Sequence, residues 1–290
     1  MKITDIMKKR MSFSFEVFPP KMEQPIEPLF ETIEELYKFK PDFISCTYGA
    51  GGTNAGRNVE ICKFIQEGKK SLPVTHYTCI GNQKENIKTD MREYLDLGID
   101  HILAMRGDFP KGWTETRGDF DYANQLVDFI RTNFPEFCIA IAANPEKHPQ
   151  SPSFDSDIAH LRRKQDAGGE LIMTQLCYDV EHYEWWVDRI RKAGIHLPID
   201  VGVMPVLSKD PTIRMTVTNG SAIPRDLAEL IGRYGDNPDD FKKAGKEYTV
   251  NLIHKFMTAG IDGLHIYTLN RSQDVADILN AAGFQSIENV

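Results

Sequence analysis

Eight times along the chain a short apolar, β-branched run ends in polar residues and gives way to a stretch with helical spacing. That repeat limits the fold more than any other feature. Strand-like runs cover 12–17, 43–48, 74–80, 101–105, 138–143, 171–178, 199–206 and 263–269. Helical spacing covers 28–39, 58–68, 84–97, 122–134, 155–167, 180–192 and 273–282. From 207 to 260 the pattern is longer and less regular, with helical stretches at 227–234 and 240–258. Eight alternations in 290 residues predict an α/β protein, a single (β/α)8 TIM barrel over 1–290. A doubly wound open sheet is the alternative, but it usually has fewer strands and a glycine-rich first turn. Neither G-x-G-x-x-G nor G-x-x-x-x-G-K-[ST] occurs, and Gly49–Gly52 follows the second strand and reads as a turn. Without a low-complexity linker, one domain is expected.

Such barrels assemble their active site at the C-terminal strand ends. The polar residues there are Glu16, Thr47, Thr78, Asp108, Glu146, Gln175, Asn270 and Arg271. Glu16 stands out within S-F-S-F-E-V-F-P-P-K. Alternation puts Ser12, Ser14 and Glu16 on one face and Phe13, Phe15 and Val17 on the other, and Pro19-Pro20 ends the strand. A carboxyl partly desolvated there becomes a proton donor near neutral pH, whereas one that reaches water is an ordinary strand-end acid.

Other chemistries have little support. Strand-end lysine is limited to Lys21, which disfavours a Schiff-base aldolase, and there is no G-x-S-x-G elbow or H-E-x-x-H pair. Cys46, Cys79 and Cys177 lie near strand ends, but His76 and Cys79 fall on opposite strand faces, which argues against zinc. His148, in a loop with Glu146, reads as a ligand, a base or a polar loop residue. The 34 basic against 42 acidic residues, net −8, suggest neither a nucleic-acid surface nor a membrane anchor. No apolar run is long enough to span a bilayer, and M-K-I-T-D-I-M-K-K-R lacks a signal-peptide core. Five cysteines without a C-x-x-C pair point to a reducing cytoplasm.

The motifs F-S-F-E-V-F-P-P-K, S-C-T-Y-G-A, H-Y-T-C-I, A-M-R-G-D, P-E-K-H-P, K-Q-D-A-G-G, M-T-Q and Y-T-L-N-R, in this order, resemble those of the methylenetetrahydrofolate reductases, short bacterial type. The resemblance implies a bound FAD reduced by NADH or NADPH, then a second half-reaction delivering hydride to 5,10-methylenetetrahydrofolate. It implies Glu16 as general acid and Asp108 as a carboxylate beside pterin and flavin. Gln175 would bind the pterin, and Arg271 with Tyr267 would line the folate pocket. Thr47, His76, Arg106, Asn144, His148, Asp157 and Lys164 would line FAD. A homo-oligomer is expected, and no regulatory domain.

Two departures bear on this. Asn144 stands where an aromatic is expected before P-E, and 208–220 reads as a divergent loop that leaves the choice of electron donor open. Trp185 and Trp186 serve either contacts between chains or packing. Two alternatives stay open: a flavin-free barrel that transfers a methyl group from folate or pterin, and a flavoprotein subunit fed by an electron-transfer partner protein.

Overall fold

The computed structural model describes residues 1–48, 55–110 and 112–286, so the turn at 49–52 lies outside the described residues. Eight parallel strands close into a barrel in sequence order. They are β1 (Ser12–Val17), β2 (Phe43–Cys46), β3 (Leu72–Thr78), β4 (His101–Met105), β5 (Cys138–Ala143), β6 (Leu171–Thr174), β7 (Ile199–Val203) and β8 (Gly263–Tyr267). The crossovers that parallel pairing requires are α2 (Glu27–Tyr37), α3 (Ala55–Gly68), α4 (Lys84–Asp96), α5 (Ala123–Asn133), α6 (Phe154–Asp166) and α7 (Val180–Lys192). Between β7 and β8 run α8 (Lys209–Asn219), α9 (Arg225–Tyr234) and α10 (Pro238–Thr258); α11 (Ser272–Ala281) follows β8 and α1 (Ile3–Met7) precedes β1. The expected (β/α)8 barrel is present.

Strand parity fixes which side chains look inward. Ser14 pairs with His265 and Glu16 with Tyr267, while Asp200 pairs with Gly263 and Gly202 with His265. The other parity, including Phe13, Phe15, Ile44, Ile102, Ile139, Ile172, Val201 and Leu264, packs under the helices in one apolar layer. Each such side chain contributes about 1.5–3 kcal/mol by leaving water. Inside the barrel the surface is divided. Phe43, Val74, Leu103, Ala140, Leu171 and Met173 form an apolar sector on which Ile3 of α1 packs. Ser12, Ser14, Ser45, Asp200 and His265 form a buried polar one.

Two expectations are corrected, and the Trp185–Trp186 pair is resolved. The divergent 208–220 segment is not a loop but α8, closed by Gly220 at φ 70°. Its threonines and Ile213 and Val217 are poor helix formers because branching at Cβ restricts χ1. Burial of Thr212 and Thr216 compensates, and the Thr216 hydroxyl donates to the Thr212 carbonyl at 2.7 Å. Strands β2, β6, β7 and β8 are shorter than their apolar runs, ending at Cys46, Thr174, Val203 and Tyr267, and β3 starts and stops two residues earlier than its run, at Leu72 and Thr78. Leu176, Cys177 and Tyr178, like Met204, Val206 and Leu207, are buried beyond the sheet by tertiary contacts. Tyr178 donates to the Met204 carbonyl at 3.3 Å and the Val206 N–H to Thr249 Oγ1 at 3.1 Å. Trp186 is core, whereas Trp185 is 41% exposed under the Arg189 guanidinium.

Candidate functional site

Glu16 ends the inward face of β1, and the Y-T-L-N-R turn fixes its backbone. Its carbonyl accepts from the Thr268 N–H at 3.1 Å and the Thr268 hydroxyl at 2.6 Å. Asn270 clamps the next residue but one, accepting from the Phe18 N–H at 3.2 Å and donating to the Phe18 carbonyl at 2.8 Å. To do so, Leu269 and Asn270 both adopt φ 53°. For a leucine this conformation costs on the order of 1–3 kcal/mol, a strain typical of functional turns.

The Glu16 carboxyl, 20% exposed, stands between two imidazoles. Its Oε2 lies 3.6 Å from His76 Nε2 and 3.7 Å from His265 Nε2. Burial pushes His76 down to about 4, against the opposing pull of Glu16, so its ring is neutral near pH 7. His76 Nε2 is buried without a hydrogen-bond partner. Beside them the Tyr267 ring meets His265 edge to face at 5.3 Å, and its hydroxyl donates to the Thr174 carbonyl at 2.6 Å. Gly202 makes that reach possible, since a Cβ there would lie 2.6 Å from the Tyr267 hydroxyl. Burial drives the Tyr267 hydroxyl well above its ordinary range, which keeps it a neutral phenol.

A second feature is a cavity of about 450 Å³ lined by Arg106, Asn144, His148, Asp157 and Lys164, together with Tyr122, Asn124, His160 and Trp186. Lys164, on the inner side of α6, donates to the Ala142 carbonyl. Burial lowers its amine to about 8, with Asp157 opposing. His148 is also lowered, by burial first and by Arg106 second. Its N–H donates to Asp157 Oδ2 at 3.3 Å, and its Nδ1 accepts from the Gln150 N–H at 3.2 Å. The donor set fits a dinucleotide cofactor: two cations suit a pyrophosphate and Asp157 a ribose hydroxyl. A half-buried amine whose protein partner is one backbone carbonyl is a site short of an anion, and the volume falls in the usual ligand range.

The remaining expected residues are dispersed around the strand ends. Thr47 follows β2, where Asn58 Nδ2 donates to the Cys46 and Thr47 carbonyls at 2.9 and 3.2 Å. Asp108 is exposed on the loop after β4, and its charge acts on His148 against that of Arg106. Gln175 follows β6 with its Oε1 accepting from the Leu176 N–H at 2.8 Å, so its amide nitrogen is the group left to meet a ligand. Arg271 caps α11 and borders a smaller cavity of about 190 Å³ with Met204, Leu207, Met215 and Leu269. His76 faces the barrel interior, while Cys46, Cys79 and Cys177 lie in the outer apolar layer, so these four do not converge. Unanticipated were Tyr122, Asn124 and His160 at the cavity, and Ser14, Asp200 and His265 beneath Glu16. Strand parity was the available signal for the last three.

The sequence matches the family model described as methylenetetrahydrofolate reductase over residues 2–283. It is 35% identical to methylenetetrahydrofolate reductase 1 of Schizosaccharomyces pombe over 98% of this chain and 48% of that relative. It is 33% identical to the 5,10-methylenetetrahydrofolate reductase of Escherichia coli over 91% of this chain and 88% of that one. The chain thus spans about half the length of its eukaryotic relatives. Among solved structures, an uncharacterised Clostridium thermocellum protein, described as binding two copies of 5-methyl-5,6,7,8-tetrahydrofolic acid, aligns with a TM-score of 0.70 at 14% identity. That alignment covers 97% of both chains and reflects the shared fold. With the family match spanning the barrel and all its strand-end residues, the chain belongs to the methylenetetrahydrofolate reductase family.

Proposed function

We propose that the chain reduces 5,10-methylenetetrahydrofolate to 5-methyltetrahydrofolate, using FAD and NADH or NADPH in two alternating half-reactions. The observation that carries this proposal is the partly exposed Glu16 carboxyl held between His76 and His265 in a chain of this family. Bound FAD would supply the hydride chemistry, accepting from the nicotinamide and donating to the folate. Arg106 and Lys164 would hold its pyrophosphate, with Asp157 at a ribose and His148 and Asn144 beside them. Thr47 and His76 would line it nearer the barrel axis.

Opening the methylene bridge to an iminium requires a proton on the departing nitrogen, and Glu16 is the group to give it. Neutral His76 does not compete as a cation. Gln175 would meet the pterin edge with its amide nitrogen, and Asp108, from the loop after β4, would accept from the pterin amino group. Arg271 would pair with the anionic glutamyl tail over the apolar wall of Met204, Leu207 and Met215. A cytoplasmic homo-oligomer is the assembly to expect, with no nucleic-acid or membrane role.

The test is anaerobic titration of the purified protein. FAD should bind, bleach with NADH or NADPH, and regain colour on adding 5,10-methylenetetrahydrofolate. Failure to bind FAD overturns the proposal. Flavin that binds but stays oxidised with both nucleotides moves the electron source to a partner protein.

A further inference from the structure

Below Glu16 lies a carboxyl that the proposed chemistry does not use. Asp200 sits on β7 between Ile199 and Val201, entirely out of contact with solvent, as are Ser12, Ser14 and Ser45 around it. Such a group costs several kcal/mol unless hydrogen bonds satisfy it. Its Oδ2 accepts from Ser14 Oγ at 2.9 Å and its Oδ1 from Ser12 Oγ at 3.3 Å. The strand opposite is shaped for it: a Cβ at Gly263 would lie 2.1 Å from Asp200 Oδ1 and 2.2 Å from Ser12 Oγ.

Ser14 also joins Asp200 to the site. Its Oγ is 2.7 Å from His265 Nδ1, and His265 Nε2 is 3.7 Å from Glu16 Oε2. The Ser14 hydroxyl carries one proton, and its two shortest partners, Asp200 and His265, alternate for it, with the Leu264 carbonyl more distant at 3.4 Å. With Asp200 ionised, Ser14 donates to it and accepts from His265 Nδ1–H, so Nε2 offers a lone pair to a protonated Glu16. With Asp200 protonated, each bond reverses and His265 Nε2–H faces a Glu16 carboxylate. We propose that Asp200, acting through Ser14 and His265, stores the proton that Glu16 gives to the folate and returns it from inside the barrel. This rests on the folate-reducing activity proposed above.

The transfer balances without creating charge. Asp200 gives its proton to Ser14 Oγ, the Ser14 hydroxyl proton moves to His265 Nδ1, and His265 Nε2–H moves to Glu16 Oε2. Asp200 ends as carboxylate and Glu16 as acid. The final gap exceeds a hydrogen bond by about 0.7 Å, which a small rotation of the Glu16 side chain closes. The store refills by the reverse path while the site is open to water through Glu16. Burial lifts Asp200 to about 6, in range for such exchange, with His265 opposing. The other groups facing this chain are His76 from β3, neutral near pH 7, the Tyr267 phenol from β8, and Asp42 ahead of β2, which is paired with Arg10. Ser45 Oγ also lies 3.5 Å from His265 Nε2, and His265 Nδ1 stands 3.7 Å from Asp200 Oδ2, so Ser14, at 2.7 and 2.9 Å from the two, is the shorter link between them.

The test compares Asp200→Asn with Asp200→Val and the parent, measuring each half-reaction separately. In both variants flavin reduction by NAD(P)H should stay within about twofold, while the folate half-reaction slows about tenfold or more and loses one ionisation from its pH profile. On the protein without FAD, 15N NMR of the His265 ring should respond to the ionisation of Asp200 near pH 6 in the parent and lose that response in Asp200→Asn. An unchanged pH profile together with an unchanged His265 response makes Asp200 structural and overturns the inference, and the NMR arm decides alone if a variant folds poorly. If Glu16→Gln keeps full folate reduction, the failure belongs instead to the proposed role of Glu16.

Discussion

Replacing Lys164 by Met removes a charge that the fold holds at a loss. Burial takes the amine from an ordinary 10.5 to about 8. A folded group that releases its proton more easily than the unfolded one destabilises the fold wherever the unfolded amine is charged. At about 1.36 kcal/mol per unit, the loss is about 3 kcal/mol everywhere below about pH 8. Between about 8 and 10.5 it shrinks, because the native amine is already neutral while the unfolded one still holds its proton. Met preserves the length and most of the apolar stem. Urea denaturation of the cofactor-free protein should therefore show Lys164→Met more stable than the parent by about 2–3 kcal/mol near pH 7, and by only about 1–2 kcal/mol near pH 9. The same variant should bind FAD about 10–100-fold more weakly, since a charge-assisted hydrogen bond contributes about 1.5–3 kcal/mol. A variant less stable than the parent near pH 7, or a gain that persists undiminished to pH 9, refutes the buried-charge argument. Unchanged FAD affinity removes Lys164 from the cofactor site.

Three further outcomes are expected. Gly263→Ala should destabilise by about 1–3 kcal/mol in chemical denaturation, and Asp200→Ala in the same chain should recover part of that loss, because the added Cβ collides with the Asp200 carboxyl. His76 is held neutral down to about 4, so the parent should lose about 3 kcal/mol of stability as pH falls from about 6.5 to 4; His76→Asn should flatten that slope in thermal melts against pH. Asn270→Ala releases the Phe18 clamp and puts alanine at φ 53°, and should cost about 1–3 kcal/mol while raising the folate KM more than the NAD(P)H KM.

The barrel was legible in the sequence because its two periodicities alternate eight times and its outward faces are almost wholly apolar. Glu16 was legible for the same reason: parity set it with Ser12 and Ser14 on the polar face of a strand whose other face is Phe and Val. Parity also contained Asp200, His265 and Gly202, but a single Asp in P-I-D-V-G-V gives no hint that Ser12, Ser14 and Gly263 come from two other strands to surround it. Helix α8 was hidden because tertiary burial of its threonines overrides a poor local propensity. The strand overruns at β6 and β7 came from the opposite cause, since Leu176 to Tyr178 and Met204 to Leu207 are apolar for contacts outside the sheet. The cavity's Arg106, His148 and Lys164 came from family motifs and Asp157 from a family position between them, whereas Tyr122, Asn124 and His160 carry no motif of their own.

The role of Glu16 is decided most directly by rapid-mixing kinetics on Glu16→Gln with FAD bound. Reduction by NADH or NADPH should proceed within about twofold of the parent, while reoxidation by 5,10-methylenetetrahydrofolate should fall at least about 100-fold, the usual scale of a lost general acid. Equal losses in both half-reactions, or folate-driven reoxidation at the parent rate, would contradict a carboxyl that donates the proton at this site.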